Sequence, residues 1–149
     1  MSEIVSEGHR IVVGVDGSTG SKLALQWALR MARAEEASIE VVAAWEYPNT
    51  LGWAAVPDGY SPKDDLEKAV GQLVDEVFGP DRPPYLQITI RQGHPAKVLL
   101  DASAGALLLV VGSRGHGGFA GLLLGSVSAR VAELATCPVL VVHGDAKPA

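Results

Sequence analysis

Ala106-Leu107-Leu108-Leu109-Val110-Val111, followed at once by Gly112-Ser113-Arg114-Gly115-His116-Gly117-Gly118, decides how this chain is read. Six consecutive apolar residues describe a strand buried on both faces, because a half-exposed strand would place a polar residue at every second position. The glycines that follow free the backbone to take positive φ and to turn its N–H groups toward an anion.

Outward from that stretch the same punctuation recurs. Residues 11–15 form a short β-branched run ended by Asp16-Gly17-Ser18, residues 39–45 a second run, residues 85–91 a third, and residues 139–142 close the series. Between them lie helical patterns. Leu23, Trp27 and Met31 share one face over residues 21–36, with Ala24, Ala28 and Ala32 on the adjacent stripe. Leu66, Ala69, Val70, Leu73, Val74 and Val77 recur at helical spacing until Gly79-Pro80 stops them. Gly93-His94-Pro95 opens a third helix with Val98, Leu99 and Ala102 inward, and Ser126 opens a fourth with Val127, Val131, Leu134 and Ala135 on one side. Five apolar runs separated by helices predict an α/β fold, an open, doubly wound, five-stranded parallel sheet with helices on both faces. Residues 9–143 are expected to form one domain, after a flexible N-terminus (1–8) and before a short tail (144–149). Residues 46–61, punctuated by Pro and Gly, read as a long loop.

Bulk properties narrow the function. The 149 residues carry a net charge of -5 with 12 scattered Lys and Arg, which leaves no basic footprint for nucleic acid. No run approaches the roughly 18 apolar residues of a membrane helix. With one cysteine, Cys137, and no signal-peptide pattern, the reading is a cytoplasmic chain without a disulfide framework. His9, His94, His116 and His143 lack metal-ligand spacing, so no metal site is expected.

In open α/β sheets ligands sit beyond the carboxyl ends of the strands, where neighbouring connections leave in opposite directions. Asp16-Gly17-Ser18 and the glycine stretch are the two loops that qualify, which places the first and fourth strands side by side. The chain returns at Gly125-Ser126 to a helix start, whose free N–H groups and positive dipole end favour phosphate. Asp16 can accept hydrogen bonds from ribose hydroxyls or serve an Asx turn with Gly17 and Ser18, and ligand contact is the reading taken. Arg114 can fork onto a phosphate or stay solvated. Trp45 can pack near the base of a bound nucleotide or close the core, and closing the core is the reading taken. Two familiar motifs fail letter by letter: Lys22 follows Ser21, so residues 14–21 are not a P-loop, and no Gly-x-Gly-x-x-Gly follows the first run.

What the letters do match is Gly-x2-Gly-x9-Gly-Ser, spelled Gly112-Ser113-Arg114-Gly115, nine residues, Gly125-Ser126. This resembles the ATP-binding branch of the universal stress protein family, and residues 11–18 and 137–142 look like that family's opening and closing strands. The resemblance implies a Rossmann-like sheet of order 3-2-1-4-5. It places phosphate and ribose on Gly112, Gly115, Gly125 and Ser126, with Arg114 and Val127 in the same site. Asp16 would touch the ribose, and backbone near Val13 and Ala44 would flank adenine. The implied ligand is ATP, with AMP or cAMP as alternatives and Mg as an accompanying ion. The apolar run 139–142, read as an edge strand, and the family both point to a homodimer through the C-terminal strand. No set of groups for phosphoryl transfer is found, so a nucleotide-dependent regulatory or stress-response module ranks ahead of a slow ATP hydrolase.

Overall fold

A computed structural model describes residues 9–47, 61–80, 82–113 and 124–144. Arg114, Gly115, the N-terminal segment 1–8, most of the 46–61 loop and most of the tail 144–149 lie outside the described residues. Nine elements alternate along the chain: β1 (Arg10–Gly14), α1 (Thr19–Glu35), β2 (Ser38–Trp45), α2 (Pro62–Phe78), β3 (Leu86–Gln92), α3 (Pro95–Ser103), β4 (Leu108–Gly112), α4 (Ser126–Leu134) and β5 (Val139–Val142). All strand pairings are parallel, in the order β3-β2-β1-β4-β5. The expected sheet and its order are what the chain adopts.

The central strand explains the apolar runs. Alternate residues of β1 and β2 enter opposite layers: Ile11, Val13, Val41 and Ala43 pack under α1 and α2, while Val12, Val42 and Ala44 pack under α3 and α4. Both faces are covered, so neither parity can be polar without a partner. One exception has its partners. Glu40, on the α3/α4 side, accepts a bond from the Thr89 hydroxyl at 2.8 Å and lies 3.9 Å from the Arg10 guanidinium. Arg10 in turn donates to the carbonyls of Ala102 and Ala104 at 2.9 and 3.0 Å, which closes the C-terminal end of α3.

Local chemistry sets the helix starts. Ser18 caps α1, Ser61 caps α2 by accepting from the Asp64 N–H, and His94 caps α3 through Nδ1, with proline at the first turn of the latter two. Three expectations need correction. Ser61-Pro62 is the cap and first turn of α2, not loop punctuation, with Asp64 and Asp65 favourably placed at the positive dipole end. Leu134 does not face inward; at the last residue of the short α4 it is 48% exposed. Among the described residues Trp45 packs with neither core layer. It meets Tyr47 edge to face instead, with ring centroids 5.5 Å apart.

Candidate functional site

The sheet order puts β1 beside β4, and the helices that follow them leave on opposite faces, α1 with one core layer and α4 with the other. A crevice therefore opens at the carboxyl ends of these two strands. Asp16-Gly17-Ser18 and Gly112-Ser113, the described start of the glycine stretch, leave the two strands there.

On the β1 side the chain turns through Gly17, whose φ of +85° suits a residue without Cβ. Asp16 organises the turn. Its Oδ1 accepts from the Ser18 N–H at 2.9 Å and from the Ser21 hydroxyl at 2.7 Å, and its own N–H donates to Ser21 Oγ at 2.8 Å. The Asx turn is thus real, and the Asp16 side chain, carried on an exposed residue, stands at the mouth of the crevice. Ser21, buried, ties the first turn of α1 to the end of β1.

On the β4 side Gly112 has a packing role. A Cβ there would lie 3.1 Å from the Gly20 carbonyl oxygen, so its absence lets the first turn of α1 come down onto the end of β4. Ser113, buried, donates its N–H to the Val142 carbonyl at 2.8 Å. Its own carbonyl accepts from the Gly125 N–H and from the Ser128 hydroxyl, each at 2.6 Å. Ser128 is 3% exposed and also reaches the Gly125 carbonyl at 3.2 Å. These bonds clamp the exit of β4 to the entrance of α4. Gly125, not Ser126, is the N-cap of α4, and among the described residues no side chain caps it. Ser126 is exposed at the first helical position, while Val127 is half-buried against the α3/α4 layer.

The third side is a step. β1 pairs with β2 only as far as Gly14 and Val42, with one more bond from the Val15 N–H to the Val42 carbonyl at 3.0 Å. β2 and β3 continue together to Trp45 and Gln92. The extra three residues raise β2 about 10 Å above the point where β1 leaves, at the usual rise per strand residue. Successive residues of β2 alternate their backbone groups: the Val42 carbonyl serves β1, and the Trp45 carbonyl serves Gly93 on the β3 side. Ala44, in phase with Val42, directs its N–H and C=O toward the crevice, where β1 has no residue paired with it.

The residues named from sequence thus fall into three groups. Asp16, Gly112 and Ala44 lie at the carboxyl ends of β1, β4 and β2, and Gly125, Ser126 and Val127 at the start of α4. Val13 lies within β1, fully buried and paired with both Val41 and Val110, so its side chain belongs to the core. Arg114 and Gly115 fall outside the described residues. Sequence reading missed Gly20, Ser21 and Ser128, whose roles depend on neighbours distant in the chain or across a turn; only the Ser18-x-x-Ser21 spacing at a helix start offered a signal. Among the described residues no group of three His, Cys, Asp or Glu side chains could hold a metal ion, and no helix is long and apolar enough to cross a membrane. A groove of about 800 Å³ between α3 and α4 meets the site at Ser126, and its charges balance, Lys97 and Arg130 against Asp101 and Glu133.

Comparison with known proteins agrees with this fold. The profile of the universal stress protein family matches residues 8–143. A universal stress protein of Mycolicibacterium smegmatis is 35% identical over 144 residues, covering 92% of this chain and 49% of that protein. The chain spans about half the length of the curated relatives it matches. Among solved structures, the universal stress protein UspA from Lactobacillus plantarum superposes with a TM-score of 0.75 at 21% identity, covering 92% of this chain and 99% of the other. A universal stress protein in complex with cAMP superposes with a TM-score of 0.67 at 28% identity, over 91% and 96% of the two chains. The matched profile, the sheet order and the relative's identity agree, and the chain belongs to the universal stress protein family.

Proposed function

We propose that this chain binds an adenine nucleotide, ATP foremost, at the β1/β4 crevice and acts as a cytoplasmic, nucleotide-dependent regulatory module in a stress response. One observation carries the reading: the α4 N-terminus, without a side-chain cap among the described residues, is tied to the end of β4, beside the β1 strand that Asp16 follows. The first turn of a helix leaves N–H groups unsatisfied, and phosphate is the anion that best uses them. In this reading Gly112, Arg114, Gly115, Gly125, Ser126 and Val127 cradle the phosphates, and Asp16 accepts from the ribose hydroxyls. The outward N–H and C=O of Ala44 match the acceptor and donor on the pairing edge of adenine, with Val13 beneath. The cAMP held by a structural relative supports the same ligand class, with AMP and cAMP as lesser ligands of this chain. Mg would travel with the nucleotide's own phosphates.

β5 is apolar along its length and, among the described residues, is hydrogen-bonded on one side only, to β4. An edge of that kind favours pairing with a second copy, and we place a homodimer interface there. Val141→Lys should convert a dimer to a monomer in sedimentation; a monomeric parent removes this part of the reading.

The decisive experiment is mass spectrometry of ligand released from freshly purified protein, together with incubation in ATP and Mg. Stoichiometric ATP that persists for hours, lost in Gly125→Val, supports a binding module. Sustained ADP release abolished by Asp16→Ala would move the assignment to a slow ATP hydrolase. No bound nucleotide, and no thermal shift with any, would overturn both.

A further inference from the structure

Trp45 and Tyr47 form an aromatic pair that, among the described residues, neither core layer uses. Large aromatic side chains gain most by burial, and Tyr47 leaves 48% of its surface open. The pair sits on the raised end of β2, next to the crevice. By strand alternation Trp45 stands on the α1/α2 side, as Val41 and Ala43 do, while the outward backbone groups of Ala44 lie in the plane of the sheet. A base hydrogen-bonded to Ala44 would continue that plane, and the side chain that covers one of its faces is then that of the next residue.

We propose that Trp45 is the stacking platform for the nucleobase and that Tyr47 positions it. This rests on the nucleotide reading above and adds what that reading lacks, a source of preference among bases. The interplanar angle of 85° between the two rings is an edge-to-face contact, which favours one ring orientation of Trp45. An indole face so oriented overlaps a two-ring purine more fully than a one-ring pyrimidine. Ala44, on the opposite side, is small enough to admit either.

The test compares ATP, CTP and inorganic tripolyphosphate by calorimetry. Trp45→Leu should weaken ATP roughly tenfold, the effect expected for losing one stacked ring, and should narrow the ATP-to-CTP ratio while tripolyphosphate affinity stays within about twofold. Trp45→Phe should recover most of the loss, and Tyr47→Ala should weaken ATP by a smaller factor. Unchanged ATP affinity in both Trp45→Leu and Tyr47→Ala would overturn the proposal while leaving nucleotide binding intact. So would a parallel loss for tripolyphosphate, which would mark Trp45 as merely structural. A wild-type protein that binds tripolyphosphate and ATP equally well also overturns it, and one that binds neither overturns the nucleotide reading itself.

Discussion

One face of the sheet lies under two helices of 17 residues each, the other under two of 9. The long-helix face buries an unbroken apolar layer from Ile11 through Leu25 and Ile39 to Val74. The short-helix face admits polar groups at its margins: Arg10, Glu40 and Thr89 at one end, and the Ser113–Gly125–Ser128 clamp at the other. Apolar burial is non-directional, whereas each buried polar group demands a particular partner. The difference separates what holds the fold from what fixes the geometry of the crevice, with the first turn of α1 as the long-helix face's contribution to the site.

The separation can be broken, beginning where the effect is largest. Leu25→Ala, at a fully buried position of the long-helix face, should cost about 3 kcal/mol in urea unfolding yet leave ATP affinity of the folded protein unchanged. Arg10→Ala should cost about 2 kcal/mol, because it strands two helix-end carbonyls and leaves a half-buried carboxylate without its cation. Restoring the balance with Glu40→Gln in that background should recover part of the loss. Ser128→Ala should cost only about 1 kcal/mol but, unlike Leu25→Ala, should weaken ATP binding by loosening the start of α4. Equal effects of Leu25→Ala and Ser128→Ala on affinity would dissolve the distinction between the two faces. At the small end, Lys97→Ala removes an exposed i,i+4 pair with Asp101 and should change stability by less than about 0.5 kcal/mol.

The architecture was legible because both faces of a parallel sheet are covered. Runs such as 11–15 and 106–111 then have no other economical reading, and the two glycine-bearing turns mark where the helices change sides. The start of α2 was misread because serine and proline punctuate loops and open helices alike; only Asp64, three residues after Ser61, separates the two cases. Leu134 fits a helical stripe, but α4 ends there and nothing lies beneath its last turn. Gly112 was read for its freedom of φ, while its contact with Gly20, 92 residues earlier in the chain, follows only from β4 lying beside β1. Ser128 looked like any helix serine. Its value comes from a carbonyl 15 residues away across the glycine stretch.

The position of β1 in the sheet also has a consequence in time. Its partners on one side arrive early, Ser38 onward, but those on the other begin with Leu108, opposite Ile11. At a synthesis rate of about 5–20 residues per second, the strand waits on the order of 5–20 s on the ribosome with one apolar edge unpaired. Until residues 102–112 emerge, α1 lacks one of the strands it packs on and Arg10 lacks the Ala102 and Ala104 carbonyls. The newborn chain therefore passes through a stage at which one edge of its central strand is open to chaperones, and a synonymous change in codon speed between residues 40 and 108 should alter soluble yield without altering the finished protein.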